Sequence, residues 1–278
     1  MHIRTALPVC LLLSLFASSQ ADAQFSVTEP ALGESFNVEL GLMLWKPTPG
    51  IVIGSDSLRT VSGTGLDLVQ EFNIANKRFN EFRTVLRGGK SKLRISHVNM
   101  VYNEAATLQQ TVIIGGRTFN IAADATADLD WNLWTIGYER DFVKTDRALI
   151  GFIGEVHMNH IVANLRATSQ GFTATSLTDE NVPFPAIGGI ARVYPHKNVG
   201  VTVEWTGFKM PGFIADKLAG TDNGEAHLKN FDAYVTGSIT RYFGVQGGYR
   251  ALTADYLLDA DTGDLRMKGF YFGAMVRF

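Results

Sequence analysis

Two short runs place acids and a histidine at spacings that could do hydrolytic chemistry. Asp128-Leu-Asp130 and Glu225-Ala-His227 each hold ionisable residues two positions apart, which on a β-strand puts them on one face. Acidic pairs with a histidine can activate water by general-base catalysis. His157 and His160 form another pair, but on a strand an offset of three sends the imidazoles to opposite faces, so they cannot chelate one metal together. Ser96 and His97 are adjacent and also face opposite ways, which removes a serine–histidine couple. No G-x-S-x-G, H-E-x-x-H, Walker A or dinucleotide fingerprint occurs. No catalytic residue is assigned, and no cofactor or metal is expected.

A larger charged set recurs at alternate positions within apolar runs. Its members are Glu139, Glu155, His157, Arg192, Glu204, Asp232, Arg250 and Arg94, together with Glu39, Glu81, Arg83, Asn159 and Arg277. Acids and bases nearly balance, as expected of crossed ion pairs in an enclosed space, because charges removed from bulk water need partners. Paired, these residues would stabilise the enclosure and narrow its bore; lining an open path, they would tune selectivity. Arg192 and Glu204 lie on either side of the short turn Tyr194-Pro-His-Lys-Asn198 and are candidates for one such pair.

The elements that must position these residues alternate with a period of two. Val199, Val201, Val203 and Trp205 fall on one face of their run, with Gly200, Thr202, Glu204 and Thr206 on the other. Phe231, Ala233 and Val235 likewise oppose Asp232, Tyr234 and Thr236. The pattern predicts about ten strands, near residues 35–46, 76–87, 91–104, 127–142, 147–167, 185–195, 198–210, 228–242, 244–257 and 264–278. Short connections at 87–91, 143–147, 194–198 and 241–244 alternate with long polar ones at 47–75, 105–126, 168–184 and 211–227. This is the layout of an all-β, transmembrane antiparallel β-barrel, with short periplasmic turns and long extracellular loops; eight strands is the main alternative. Gly115-Gly116 marks a hairpin within the second long loop. Two aromatic belts are expected: Trp45, Trp131, Trp134, Phe208, Phe231 and Tyr256 at the long-loop ends, and Phe142, Tyr194, Tyr242, Phe243 and Phe278 at the short-turn ends.

The chain of 278 residues has a net charge of -2 and no basic run, so no nucleic-acid partner is expected. Its first residues, with Arg4, an apolar stretch from Ala6 to Ala17 and Ala21-Asp22-Ala23, read as a signal peptide cut between Ala23 and Gln24. Residues 1–23 are thus set apart from a single barrel domain at 24–278. The one cysteine, Cys10, lies inside the signal, and Leu7-Pro-Val9 before it is no lipoprotein cleavage box. Disulfides cannot hold the exported chain together.

The chain ends in an alternating run whose Phe270, Phe272, Ala274, Val276 and Phe278 share a face. Here it resembles bacterial outer-membrane β-barrel proteins, whose final strand typically ends in an aromatic residue read by the barrel-assembly machinery. The matching residues are Phe270, Phe272, Val276 and Phe278. The resemblance implies an assembly signal at Phe278, Val276 and Phe272, outer-membrane lipid and the assembly machinery as partners, a monomer, and a place in the outer membrane of a Gram-negative cell. It implies a structural or surface-interacting role, or a narrow porin-like passive channel with a salt-bridged lumen. The alternative is an outer-membrane enzyme, either a rim protease or a lipid-modifying hydrolase. Asp128-Leu-Asp130 resembles half of the omptin protease site, whereas Glu225 stands where that family has Asp. The outer-membrane lipid A deacylases use His-x-Ser, which does not occur here.

Overall fold

The computed structural model describes residues 32–54, 58–60, 65–114, 116–120, 123–169, 172–210, 225–258 and 261–278. The expected signal peptide and most of the expected loop 211–227 lie outside these residues. Ten long strands carry the architecture: β1 (Val38–Gly54), β4 (Phe79–Gly88), β5 (Ser91–Thr107), β8 (Asp124–Lys144), β9 (Ala148–Ser169), β10 (Phe172–His196), β11 (Val199–Lys209), β12 (Glu225–Ser238), β13 (Phe243–Leu258) and β14 (Asp261–Arg277). Four short strands belong to the long connections: β2 (Leu58–Thr60), β3 (Leu66–Asp67), β6 (Val112–Ile114) and β7 (Arg117–Phe119). Each long strand pairs antiparallel with its neighbour, and β14 returns to β1, with Leu40 opposite Val276 and Leu44 opposite Phe272. The seam runs to the last residue, where the Phe278 N–H donates to the Val38 carbonyl at 2.8 Å. A sheet closed in this way has no free edge, so the barrel backbone is satisfied without water.

Alternation decides which way each side chain points. Outward positions carry exposed apolar residues on strand after strand, among them Leu42, Phe82, Leu93, Ile136, Ile150, Ile187, Val203, Val235, Phe243 and Phe272. An unbroken apolar girdle of this extent is stable only against lipid. No helix among the described residues is long and apolar enough to cross a membrane; the strands do so. The chain folds as a closed, ten-stranded transmembrane β-barrel.

Several expectations need correction. β1 continues through Gly54 and β8 begins at Asp124, while residues 168–169 and 172–184 of the expected long loop 168–184 continue the β9–β10 ladder. Polar residues there are compatible with strand because a strand beyond the membrane has water on one face. Within the expected loop 47–75, Leu66–Asp67 forms the short β3 against β1, and Leu68–Phe72 forms a one-turn helix. Asp67 caps it, accepting from the Val69 and Gln70 N–H groups at 3.0 and 3.1 Å. The hairpin expected at Gly115-Gly116 does form between β6 and β7, with Gly116 at φ 72°; Gly115 lies outside the described residues. Among the expected belt aromatics, Trp134, Phe231, Phe142, Tyr242, Phe243 and Phe278 face outward, but Trp45, Trp131 and Tyr194 are buried inside. Phe208 and Tyr256 also pack on the interior cluster. Parity along the strand, not aromatic character, decides the side.

The interior at the long-loop end is an apolar core. Trp45, Ile51, Met100, Tyr102, Trp131, Leu165 and Met267 point in from the barrel wall and meet Leu58, Leu66, Phe72, Val112 and Ile114 of the long connections. β2, β6 and β7 form a separate three-stranded sheet, and the helix Leu68–Phe72 packs against β1 and β5.

Two glycines permit close strand approach. A Cβ at Gly188 would overlap the Trp205 carbonyl oxygen, and one at Gly269 the Lys46 carbonyl oxygen. Gly188→Ala and Gly269→Ala should each destabilise the barrel by about 1–3 kcal/mol. Gly237→Ala, whose Cβ would meet only Val245 at 3.6 Å, should be neutral. The temperature at which the folded band disappears from detergent gels is the measure; equal midpoints for all three would contradict the close approach.

Candidate functional site in the barrel lumen

Below the apolar core, toward the short-turn end, the lumen changes character. Inward positions on β4, β5, β8, β9, β10, β11, β12, β13 and β14 there carry charged groups around a cavity of about 110 Å³. All eight residues of the expected network line it, as do Glu39, Glu81, Arg83 and Arg277.

One cluster spans the barrel between β4 and β13. Arg83 makes a two-pronged contact with Glu81, both bonds at 3.0 Å, and Arg250 reaches the same carboxylate at 2.8 Å from a residue 169 positions away. Arg250 also donates to Asp232 Oδ2 at 2.8 and 3.2 Å. The Tyr271 hydroxyl donates to the other Asp232 oxygen at 2.8 Å and accepts from Gln246 at 2.9 Å. The Arg83 guanidinium sits 4.7 Å from the Tyr271 ring centre, adding a cation–π contact. Glu81 and Asp232 are almost fully buried, and their forked arginine partners supply the geometry that makes such burial tolerable.

A second cluster joins β5, β8, β11 and β12. Lys92 donates to Glu139 at 2.6 Å, and Arg94 bridges Glu139 at 3.3 Å and Glu204 at 2.7 Å. The Tyr234 hydroxyl donates to the remaining Glu204 oxygen at 2.6 Å and accepts from Arg192 at 3.3 Å. Arg192 and Glu204 therefore do not pair directly. The register sets Arg192 opposite Thr202, to which it donates at 2.9 Å, and Tyr234 connects it to Glu204. At the other side Glu155 meets His157 Nε2 at 2.8 Å and accepts from Thr206, while His157 Nδ1 lies 3.2 Å from the Thr135 hydroxyl. Nearer the turns, Arg277 donates to Glu39 at 2.5 Å and to Ser238 at 2.8 Å.

Sequence reasoning missed the residue that closes the short-turn end. Glu34, in the one-turn helix Leu32–Glu34 before β1, inserts its carboxylate among the wall cations. It accepts from Arg192 at 2.7 Å and from the Tyr194 hydroxyl at 2.6 Å. Arg87, Lys144 and Lys92 stand 3.0, 3.6 and 3.8 Å away. Burial raises its pKa, but Arg192, Lys92, the Tyr194 hydroxyl and Arg87 outweigh that and hold it at about 2. The available signal was an unmatched surplus of cations around the short turns: Arg87, Lys144 and Arg192.

The rim residues are not gathered into one site. Asp128 and Asp130 point outward from β8, where Asp128 accepts from Asn103 at 2.9 Å. His227 and Glu225 lie 3.9 Å apart on β12, with β9, β10 and β11 between them and β8. His157 is buried in the lumen and His160 is exposed outside, while Ser96 and His97 face opposite ways. Among the described residues no group of three or more metal-ligating side chains occurs.

No family model and no curated protein matches the chain. Among solved structures, it is similar to the outer membrane protease OmpT from Escherichia coli, at 8% identity and a TM-score of 0.48, covering 87% of this chain and 97% of that one. It is similar to the P. putida toluene transporter TodX at 8% identity and a TM-score of 0.39, covering 90% and 93%. It is also similar to Ail, the attachment invasion locus protein of Yersinia pestis, at 12% identity and a TM-score of 0.32, covering 87% and 99%. Closure, antiparallel pairing, an even strand count and the apolar girdle are together the architecture of bacterial outer-membrane β-barrel proteins.

Two outcomes follow from the lumen. Glu81→Gln leaves two buried arginines dependent on Asp232 alone and should cost roughly 3–5 kcal/mol, read as an earlier loss of the folded gel band; an unchanged midpoint would mean that the ion pairs are dispensable. Glu34 titrates below its ordinary 4.5, so its stabilisation is complete above pH 4.5 and is lost as pH falls toward 2. Between those limits the unfolding temperature of wild type should fall further than that of Glu34→Gln.

Proposed function

We propose that this protein is an integral outer-membrane barrel with a closed lumen, acting as a structural scaffold that displays its folded long-loop assembly at the cell surface. The observation that carries this reading is the filling of the interior. Apolar side chains occupy the long-loop half, cross-linked charges occupy the other half, and Glu34 sits at its mouth. A cavity of about 110 Å³ has room for a few ordered waters, not for a passing solute. Under this reading the signal peptide directs export, the short turns and both ends of the barrel domain face the periplasm, and Phe278 with Val276 and Phe272 is presented to the barrel-assembly machinery. This reading gives the barrel a non-enzymatic role, supported by the separation, among the described residues, of Asp128 and Asp130 from His227.

In planar bilayers the purified protein should give small or rare conductance, and Arg192→Ala or Glu204→Ala should raise it while lowering the unfolding temperature. Large steady currents from wild type, unchanged by either substitution, would refute the closed scaffold in favour of a channel. Expressed with its signal in a Gram-negative host, the protein should fractionate with outer membrane, and Phe278→Asp should impair assembly far more than Phe243→Asp, a charge at an exposed outward position on the same end of the barrel. A charge at the lipid face near the interface costs only about 0–1 kcal/mol, so a severe defect at Phe278 would report recognition, not energetics. Recovery wholly in the soluble periplasm would overturn the location.

A further inference from the structure

The lumen cations are paired; a set on the outer wall has no salt-bridge partner among the described residues. Just above the apolar girdle, the first polar outward residue is a lysine on four strands: Lys46 after Leu44 on β1, Lys268 after Phe270 on β14, Lys229 after Phe231 on β12, and Lys209 beyond Trp205 on β11. All four are exposed. On the opposite wall the corresponding stretch of β8 carries Asn132, Asp130 and Asp128 instead. The cationic arc is therefore one-sided, which general snorkelling of lysines to a membrane surface does not explain.

Within the arc lies a groove of about 590 Å³ between β13, β14 and β1. Lys46, Lys268 and Arg266 line it, and Arg266 is already engaged by Asp264. Lys46 and Lys268 have no carboxylate partner among the described residues. Tyr249 and Phe270 form the girdle-side wall, packed edge to face at 5.1 Å. Asn76 and Thr48, hydrogen-bonded to each other at 3.1 Å, form the polar wall on the loop side. From girdle to loops the groove thus offers an apolar surface, free positive charge, then hydrogen-bonding groups.

We propose that this groove binds a phosphorylated glycolipid of the membrane leaflet at the long-loop end. Acyl chains would lie along Phe270 and Tyr249, phosphates on Lys46 and Lys268, and sugar hydroxyls against Asn76 and Thr48. Lysines near a membrane surface each add attraction for anionic headgroups, and a groove of this size suits a headgroup of one or two sugars. The inference rests on the outer-membrane reading, since it needs such a lipid in that leaflet.

The test is native mass spectrometry of the refolded full chain in detergent, titrated with bisphosphorylated lipid A, with the same lipid after phosphatase treatment, and with phosphatidylglycerol. Preferential retention of the bisphosphorylated lipid is expected. Lys46→Ala with Lys268→Ala should weaken it roughly 30-fold, and the double arginine variant should restore it. The folded gel band of each variant checks that the barrel is intact. Equal retention of the dephosphorylated lipid or of phosphatidylglycerol, or no effect of the double alanine variant, would overturn the proposal. So would full competition by millimolar inorganic phosphate, which would mark a free-phosphate site. Fractionation of the same strains separates the two ideas: a protein found in outer membrane that retains no phosphorylated glycolipid refutes this site alone, whereas absence from that membrane refutes the location on which it rests.

Discussion

Closure of the sheet where β14 meets β1 is the constraint from which the rest of the structure follows. Once the ladder is complete, every second side chain is confined to an interior cut off from lipid. That confined space has to be filled by groups that satisfy one another. The chain does so in two chemistries stacked along the barrel axis. Toward the long loops it packs apolar side chains as a globular domain would; toward the turns it uses carboxylates and guanidinium groups whose hydrogen bonds reach across the barrel.

The charged half is organised by arginine. Arg250 holds Glu81 and Asp232, Arg94 holds Glu139 and Glu204, and Arg192 reaches Thr202, Tyr234 and Glu34. Each guanidinium presents several donors in a fixed plane, so one residue can tie distant strands together where a lysine would satisfy fewer partners. Tyr234 and Tyr271 complete the arrangement by donating to carboxylate oxygens that the arginines leave open. Such a network sets the relative position of opposite walls more than it adds net stability, because desolvation offsets much of the Coulomb attraction.

What the sequence made legible is what parity controls. Alternation along β11, β12 and β14 identifies inward Glu204 and Asp232 and outward Val203, Phe231 and Phe272 without knowledge of any partner. Pairing across the barrel was out of reach, because it depends on register: the offset between β10 and β11 separates Arg192 from Glu204 and gives Arg192 to Glu34, 158 residues earlier in the chain. Loop structure was misread where polar composition was taken for irregularity. The β9–β10 hairpin extends beyond the girdle as regular ladder, because backbone pairing there needs no apolar face. Trp45 and Trp131 looked like interfacial aromatics until their parity placed them in the core.

The seam between β1 and β14 also has a kinetic meaning. Arg277 contacts Glu39 across 238 residues of chain, and the backbone of Phe278 completes the bonding of Asn37 and Val38. Contacts of such sequence separation are the slowest to form, and here they are the ones that remove the last two open edges. Until the final residues arrive, the nascent sheet has two unpaired strands and a half-built charged interior. The lifetime of that open intermediate, more than the stability of the finished barrel, is the quantity a chaperoning partner would have to govern.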